Sequence, residues 1–356
     1  MIKVLIINPF GIGDVLFTTP AIREIKNAWP DASISYWCNE RVKEIFENHP
    51  NINKVFALSR GDLKRIFHQS KIKGIKKFLG LFFQLKKEKF DIALDYSLDH
   101  RYCLIAKLAG IKKRIGFNYK NRGRFLTQKI DIESYSRRHM VEWYLDLLKF
   151  IDIEPKDKHL DLFVPKVDKN DAWGRLAKSG ITNTDLIIGI APGAGGSWGR
   201  DAAFKHWPAI NFARLIDMLA DNFGAKIIVL GDALERHIAE RIKNSTKNKF
   251  IDLVGATDLK QLIATINDLR LLITNDGGPM HIAAALGIKT VSIFGPVDEA
   301  VYGAYPASDS HIVIKSNIDC RPCYQHFRLP LCQRNRECIN SIAVEQVFDA
   351  ARRLLQ

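Results

Sequence analysis

Short runs of apolar and β-branched residues alternate with helical patterns along most of this chain. The first run, 2–8, is short and β-branched and ends at a turn, which is typical of a strand buried on both faces of a parallel sheet. The runs are 2–8 (IKVLIIN), 33–38, 54–58, 91–95, 186–191, 226–231, 249–253, 269–274 and 289–294. Strands that alternate with helices predict an α/β fold with doubly wound parallel sheets.

The pattern occurs twice, on either side of a polar segment at about 152–180 that contains Pro155 and Pro165. A length of 356 residues also favours two domains over one. The predicted helices lie at 15–28, 40–48, 208–222, 234–243, 258–267, 280–287 and in the last residues, VEQVFDAARRLLQ. We therefore predict two Rossmann-like domains, 1–165 and 166–340, followed by a helix in 341–356.

The net charge of +14 indicates a polyanionic partner such as nucleic acid, an anionic membrane surface or a phosphorylated substrate. No aromatic and basic motif supports nucleic acid, so we expect none. No apolar run reaches the ~18 residues that a membrane span needs, and the N-terminus has no signal-peptide pattern. We expect a cytoplasmic protein.

Ligands of doubly wound sheets bind at the carboxyl ends of the strands, so the loops there are the candidate sites. The first loop contains Gly11 and Gly13, but Leu16 stands where the dinucleotide fingerprint has its third glycine. Gly13 permits close approach of a ligand. Asp14 is either a helix cap or a functional carboxylate.

The second and third loops also combine glycines with charged residues. In APGAGGSWGRDAAFKHWP, Gly193 opens a loop of small residues whose amides suit an anion, and Lys205 would be its charge partner. A flexible surface loop is the alternative. In LGDALERHIAE, Glu235 is a candidate for a ribose hydroxyl or a plain helix cap.

The fourth loop, TNDGGPMHIAAALG, joins a buried strand to a helix that begins near Pro279. Gly277 and Gly278 would expose the helix N-terminus, which favours an anion such as phosphate. Asp276 precedes the glycines, and His281 lies one turn into the helix, as a structural residue or near the anion.

Two further segments are unusual. The stretch 71–90 (KIKGIKKFLGLFFQLKKEKF) is basic and amphipathic, and residues 112–124 add positive charge. The stretch is either a solvated helix or one that contacts an anionic membrane. Cys320, Cys323, Cys332 and Cys338 are either reduced thiols or ligands of a structural zinc.

Taken together, GIGDVLFTTPAIREIK, APGA with KHWP, the DGGPMHIAAALG block and the closing Cys-rich stretch resemble glycosyltransferase family 9, the ADP-heptose:lipopolysaccharide heptosyltransferase family. The resemblance covers essentially the whole chain. It implies a GT-B fold, with two Rossmann-like domains facing across a cleft, an N-terminal acceptor domain and a C-terminal nucleotide-sugar domain. The last helix would pack back on the first domain.

The resemblance also implies roles for the loop residues. Asp14 matches the catalytic base and Lys205 the lysine that holds the donor phosphates. Asp276, Gly277, Gly278 and His281 match the donor-binding motif, and Glu235 is a looser match to a ribose-binding acid. Gly13 and Gly193 are assigned to donor binding from their loop positions alone.

The expected activity is metal-independent, inverting transfer of a heptose or related sugar from an ADP-sugar to a lipopolysaccharide core or another lipid-anchored glycan. The enzyme would lie peripherally on the inner face of the cytoplasmic membrane. The alternatives are a non-catalytic nucleotide-sugar-binding protein and an epimerase of GT-B fold.

Overall fold

The computed structural model describes the backbone of all 356 residues and every side chain except those of Ser197 and Arg200. The chain forms two compact units, Met1–Phe163 and Val164–Gln356. This division lies close to the boundary that we placed after residue 165. Both units are α/β.

The first unit contains a parallel sheet of six strands in the order β3-β2-β1-β4-β5-β6. The strands are β1 (Lys3–Ile7), β2 (Ser33–Cys38), β3 (Lys54–Ala57), β4 (Ile92–Asp95), β5 (Lys113–Tyr119) and β6 (Gln128–Ile132). The helices are α1 (Ile12–Leu16), α2 (Thr19–Ala28), α3 (Glu44–Glu47), α4 (Arg60–Gln69), α5 (Lys71–Glu88), α6 (His100–Leu108) and α7 (Met140–Asp146).

The second unit repeats this arrangement, with a sheet in the order β12-β11-β10-β7-β8-β9. The strands are β7 (Ile187–Ala191), β8 (Lys226–Val229), β9 (Ile251–Asp252), β10 (Leu271–Asn275), β11 (Lys289–Phe294) and β12 (His311–Lys315). The helices are α8 (Lys166–Lys178), α9 (Ala209–Phe223), α10 (Arg236–Lys243), α11 (Leu259–Asn267), α12 (Gly278–Ala285), α13 (Glu299–Tyr302), α14 (Glu337–Asn340) and α15 (Val344–Leu355).

The strand orders place the first strand of each unit beside its fourth. In the first unit β1 pairs with β2 on one side and with β4 on the other, and in the second β7 pairs with β8 and with β10. The chain direction across the sheet reverses at these points, and the adjacent loops diverge to leave a crevice. The loops after β1, β7 and β10 therefore lie where a ligand site is expected.

The last helix, α15, belongs to the core of the second unit. Val347 and Ala351 are fully buried, in a cluster with residues of α9, β10 and β11. The Trp207 indole also donates to the carbonyl of Ile342, just before this helix. The apolar face of this helix completes the second unit, whereas we predicted that the helix packs back on the first domain.

The strands that we predicted are present, but three others were missed: β5, β6 and β12. The predicted helix 15–28 is divided into α1 and α2, since Pro20 lies in the first turn of α2, where a missing N–H is tolerated. The predicted junction contains α8. Among the described residues, no helix combines the length and the apolar character that crossing a bilayer requires.

Candidate active site

The two glycine-rich loops of the second unit meet at the reversal point between β7 and β10. Asn275, at the end of β10, is fully buried and connects them. Its side-chain Nδ2 donates to the carbonyls of Pro192 (2.6 Å) and Gly193 (3.3 Å), and its Oδ1 accepts from the backbone N–H of Trp207 at 3.2 Å. Asn275 thus holds the loop after β7 and the KHWP segment against β10.

We did not single out Asn275 from the sequence. Its partners lie 68 to 83 residues away along the chain, so no local pattern reveals them. Its position immediately before the Asp-Gly-Gly turn was the available signal.

Replacing Asn275 with alanine should lower the free energy of unfolding by about 2–4 kcal/mol, because it leaves buried backbone groups unpaired. It should also weaken nucleotide binding, since both loops lose their attachment. Urea denaturation and calorimetric titration with ADP measure the two effects. Asn222→Ala is the matched control, because Asn222 is exposed and, among the described residues, its side chain bonds within its own helix, to the Met218 carbonyl. Equal stability of the two variants would contradict this role.

Lys205 and Asp276 form a buried ion pair beside these loops. Lys205 Nζ lies 2.7 Å from Asp276 Oδ2, and the two side chains are only 6% and 5% exposed. The contact is mainly electrostatic, since this Oδ2 atom has no well-directed hydrogen bond to any described group. Lys205 Nζ also lies 3.7 Å from the centroid of the Trp198 ring, a cation–π contact. Two contacts, one with Asp276 and one with Trp198, therefore hold the lysine in place.

The Glu235 carboxylate accepts hydrogen bonds from backbone amides of the loop after β7. Its Oε1 accepts from the N–H groups of Ala194 and Gly195, each at 2.9 Å, and its Oε2 accepts from the N–H of Asp232 at 2.9 Å. Our prediction that this loop opens its amides to an anion is thus wrong for two of them. The capping interpretation of Glu235 is correct, since it forms a capping box with Asp232.

Gly193 leaves room for this carboxylate. A Cβ atom at Gly193 would lie 1.8 Å from Glu235 Oε1, so a larger residue would displace the carboxylate from the amides that it binds. The predicted glycine loop extended to Ser197, whose side chain lies outside the described part of the structure.

The Asp-Gly-Gly turn begins α12 as the sequence indicated. Gly277 is the N-cap residue and lies against the loop after β7, where an added Cβ would be 3.2 Å from the Ala194 carbonyl oxygen. Gly278 and Pro279 start the helix, and His281 is buried in its first turn. Gly193, Lys205, Glu235, Asp276, Gly277, Gly278 and His281 therefore lie on the connected loops of one unit.

In the first unit, Asp14 lies in α1, directly after β1. The N-cap residue is Gly11, and Asp14 Oδ2 accepts from the Gly11 N–H at 3.2 Å, so Asp14 caps the helix from its third position rather than opening it. Burial raises the pKa of Tyr36 and Tyr144, and the nearby charge of Asp14 raises both further. Asp14 therefore lies near two buried phenols, with Gly13 beside it in the same turn.

A cavity of about 490 Å³ lies at the ends of β1 to β4 in this unit. Arg41, Arg60 and Arg65 line it together with Asp62. Asp62 is buried and organises the wall, since its Oδ2 accepts from the N–H groups of Ser59 and Glu40. The sequence reading missed this cavity, although Arg41 and Arg60 each follow a predicted strand closely.

Asp95, at the end of β4, should make stability depend on pH. Burial raises its pKa to about 6, against a hydrogen bond from Ser97 that lowers it. In the unfolded chain the pKa of an aspartate is about 3.9, so the folded state binds the Asp95 proton more tightly than the unfolded state does. The stabilisation that this proton gives the folded state is complete below about pH 4 and is lost by about pH 6.

As the pH rises from about 4 to about 6, ionisation of Asp95 should lower the free energy of unfolding by up to roughly 3 kcal/mol. Asp95→Asn should remove this slope. Urea unfolding of both proteins from pH 4 to pH 7 gives the difference, in which the titration of other groups cancels. Exposed Asp31→Asn is the control, and a wild-type slope in Asp95→Asn would refute this assignment.

The four cysteines of the closing segment line one cavity of about 30 Å³. All four are free thiols. Burial raises the pKa of Cys323, and it raises the pKa of Cys338 to about 11. Across the described side chains, no group of three or more His, Cys, Asp or Glu is arranged to hold a metal ion. Cys320 is exposed and Cys338 is buried, so the four thiols differ in their access to solvent.

Comparison with known proteins agrees with this architecture. The family described as glycosyltransferase family 9 (heptosyltransferase) matches residues 79–329. The lipooligosaccharide heptosyltransferase 2 of Campylobacter jejuni serotype O:2 is 28% identical over 360 residues, covering 99% of this chain and 98% of the relative.

Two solved structures are similar across nearly the whole chain. A glycosyl transferase family 9 protein of Veillonella parvula has a TM-score of 0.83 at 24% identity, covering 99% of this chain and 97% of its own. The E. coli ADP-heptose lps heptosyltransferase II has a TM-score of 0.77 at 22% identity, covering 99% and 98%. The predicted fold class is confirmed as GT-B, with two Rossmann-like units. The chain therefore belongs to glycosyltransferase family 9, the heptosyltransferases.

Proposed function

We propose that this protein transfers a heptose, or a related sugar, from an ADP-sugar to a lipid-anchored glycan of the lipopolysaccharide core, with inversion at the anomeric carbon. The observation that carries the proposal is the buried Lys205–Asp276 pair between two glycine loops at the reversal point of the second sheet. Such a site suits the diphosphate of a nucleotide sugar.

In this proposal the donor binds to the second unit. Lys205 contacts the diphosphate, and Gly277, Gly278 and the N-terminus of α12 supply amides, with Asp276 and His281 beside them. A carboxylate has roughly four acceptor sites, and backbone amides use three on Glu235, which leaves one for a ribose hydroxyl. ADP is proposed as the nucleotide because the name of the E. coli relative contains ADP-heptose.

The acceptor is proposed to bind to the first unit. The arginine-lined cavity suits an anionic glycan, since guanidinium groups bind phosphate and carboxylate in a bidentate manner. Asp14 would accept the proton of the attacking hydroxyl, and Gly13 would give the donor room beside it. Its carboxylate is held in the turn by the hydrogen bond that it accepts from the Gly11 N–H.

The reaction would be a single displacement. The acceptor oxygen forms a bond to the anomeric carbon, the bond from that carbon to the phosphate oxygen breaks, and the hydroxyl proton passes to Asp14. The leaving diphosphate gains negative charge, which Lys205 and the α12 amides stabilise. No metal is proposed in this step.

The direct experiment is an assay of the purified protein with ADP-heptose and a lipid-linked core acceptor. We expect ADP and a heptose-modified product of inverted anomeric configuration to form in equal amounts, also in the presence of EDTA. A donor converted to its epimer without an acceptor would indicate an epimerase instead. Donor binding without any turnover would indicate a non-catalytic binding protein.

Two further proposals concern partners and metal. The protein would work on the inner face of the cytoplasmic membrane, where a lipid-anchored acceptor is available, and would bind no nucleic acid.

The candidates for a structural zinc are Cys320, Cys323, Cys332 and Cys338, whose thiols would have to rearrange to bind it. Elemental analysis of the purified protein tests this, and a metal-free protein that folds and turns over would exclude it.

A further inference from the structure

Helix α5 carries apolar side chains on two separate faces. Leu81 and Leu85 are buried in the core of the first unit, with Phe56 and Phe90. Gly74 is also buried, against the ring of Phe67 from α4: an added Cβ would meet that ring at 2.7 Å. This face attaches the helix to the unit and accounts for its fold.

The second face is exposed. We call it the α5 stripe: Ile72, Ile75, Leu79 and Phe83, which are 81%, 52%, 43% and 61% exposed. Spacings of three and four residues place them along one side of a helix. Phe83 makes an edge-to-face ring contact with Phe82, but each of the four side chains keeps at least 43% of its surface exposed. Isolated exposed apolar residues are ordinary. A continuous row is typical of an interaction surface.

The stripe is surrounded by positive charge. Helix α5 contains Lys71, Lys73, Lys76, Lys77, Lys86 and Lys87, all exposed, and its one acidic residue is Glu88. Glu88 is already occupied, because it lies 2.7 Å from Lys54 Nζ. The surface that α5 presents is therefore apolar along its centre and cationic at its margins.

This combination selects among partners. A second copy of the chain would bring the same lysines against these ones, and like charges repel. Nucleic acid would satisfy the lysines and leave the apolar stripe in water. An anionic bilayer satisfies both, since its headgroups attract lysines and the boundary of its acyl chains accepts apolar side chains.

We propose that the α5 stripe and its lysines are the surface by which this protein docks on an anionic lipid bilayer, with α5 lying along the interface. The inference rests on the proposed function only in that a lipid-anchored acceptor makes such docking useful. The docking itself requires no glycan and no sugar transfer.

The test is co-sedimentation of the full chain with vesicles of phosphatidylglycerol and phosphatidylcholine, and with vesicles of phosphatidylcholine alone. Wild type should bind the anionic vesicles, and added salt should weaken binding. The variant Ile72→Gln, Ile75→Gln, Leu79→Gln and Phe83→Gln should bind at least about tenfold more weakly. Glutamine is a good helix former, so the helix should persist.

The matched control replaces two exposed apolar helix residues elsewhere, Leu108→Gln and Val167→Gln, which are 60% and 62% exposed. The control should bind vesicles as wild type does. The thermal transition and the Kd for ADP should be unchanged in both variants, which separates docking from the donor site. Equal vesicle binding by the stripe variant and wild type would overturn the proposal. So would a wild-type dimer that the variant dissociates, or a wild type that ignores anionic vesicles.

Discussion

Asp14→Asn should lower kcat by about 10²- to 10⁴-fold, the range that a positioned general base contributes, while the Kd for ADP stays within about twofold. Asparagine keeps an acceptor oxygen for the Gly11 N–H, so the helix cap that Asp14 provides is retained. It cannot take a proton from the acceptor hydroxyl at neutral pH. The loss should therefore be in turnover alone.

Steady-state rates of ADP release and calorimetric titration with ADP measure the two quantities. Asp168→Asn is the matched control, because Asp168 also lies in the first turn of a helix, α8, and is not proposed to react. A rate for Asp14→Asn equal to that of the control would falsify the assignment of Asp14 as the base.

The second large effect concerns Lys205. Lys205→Met should destabilise the protein by about 3–5 kcal/mol, because it leaves the carboxylate of Asp276 buried without its counter-charge. It should also raise the Kd for ADP by at least about tenfold, since a charged contact to the diphosphate is lost. The loss of stability arises from the unpaired carboxylate of Asp276, and the weaker ADP binding arises from the missing lysine charge.

The double variant Lys205→Met with Asp276→Asn separates them. It contains no unpaired buried charge, so most of the stability should return, while ADP binding should remain weak. Urea denaturation and calorimetry of the single and double variants complete the cycle. Restored ADP binding in the double variant would show that Lys205 acts through the fold and not on the nucleotide.

Much of the fold follows from local sequence. The run 269–274 is mostly apolar, ends in two β-branched residues and is followed by a turn, which indicates a buried strand without tertiary information. Strand β5 was missed because it begins with Lys113 and Arg114, and its burial depends on pairing with β4 and β6. We interpreted the same residues as a basic patch.

The sequence predicts those features of the candidate site that depend on neighbouring residues. It does not predict hydrogen bonds to residues far along the chain. Glycines and a proline at the start of α12 identify that turn directly. The helix that follows Glu235 predicts its capping role, but two of the three groups that it binds lie 40 and 41 residues earlier in the chain. Asn275 has the same property. Side chains that join separate loops are visible only once the sheet has placed those loops together.

Calorimetric titration of the purified protein with ADP, UDP, GDP and ADP-heptose tests the donor site most directly. We expect selective binding of ADP and ADP-heptose, weakened at least about tenfold in the Lys205→Met, Asp276→Asn variant. Selective binding of UDP or GDP would contradict the proposed donor. Failure of all four to bind would contradict the assignment of the β7 and β10 loops as a nucleotide site.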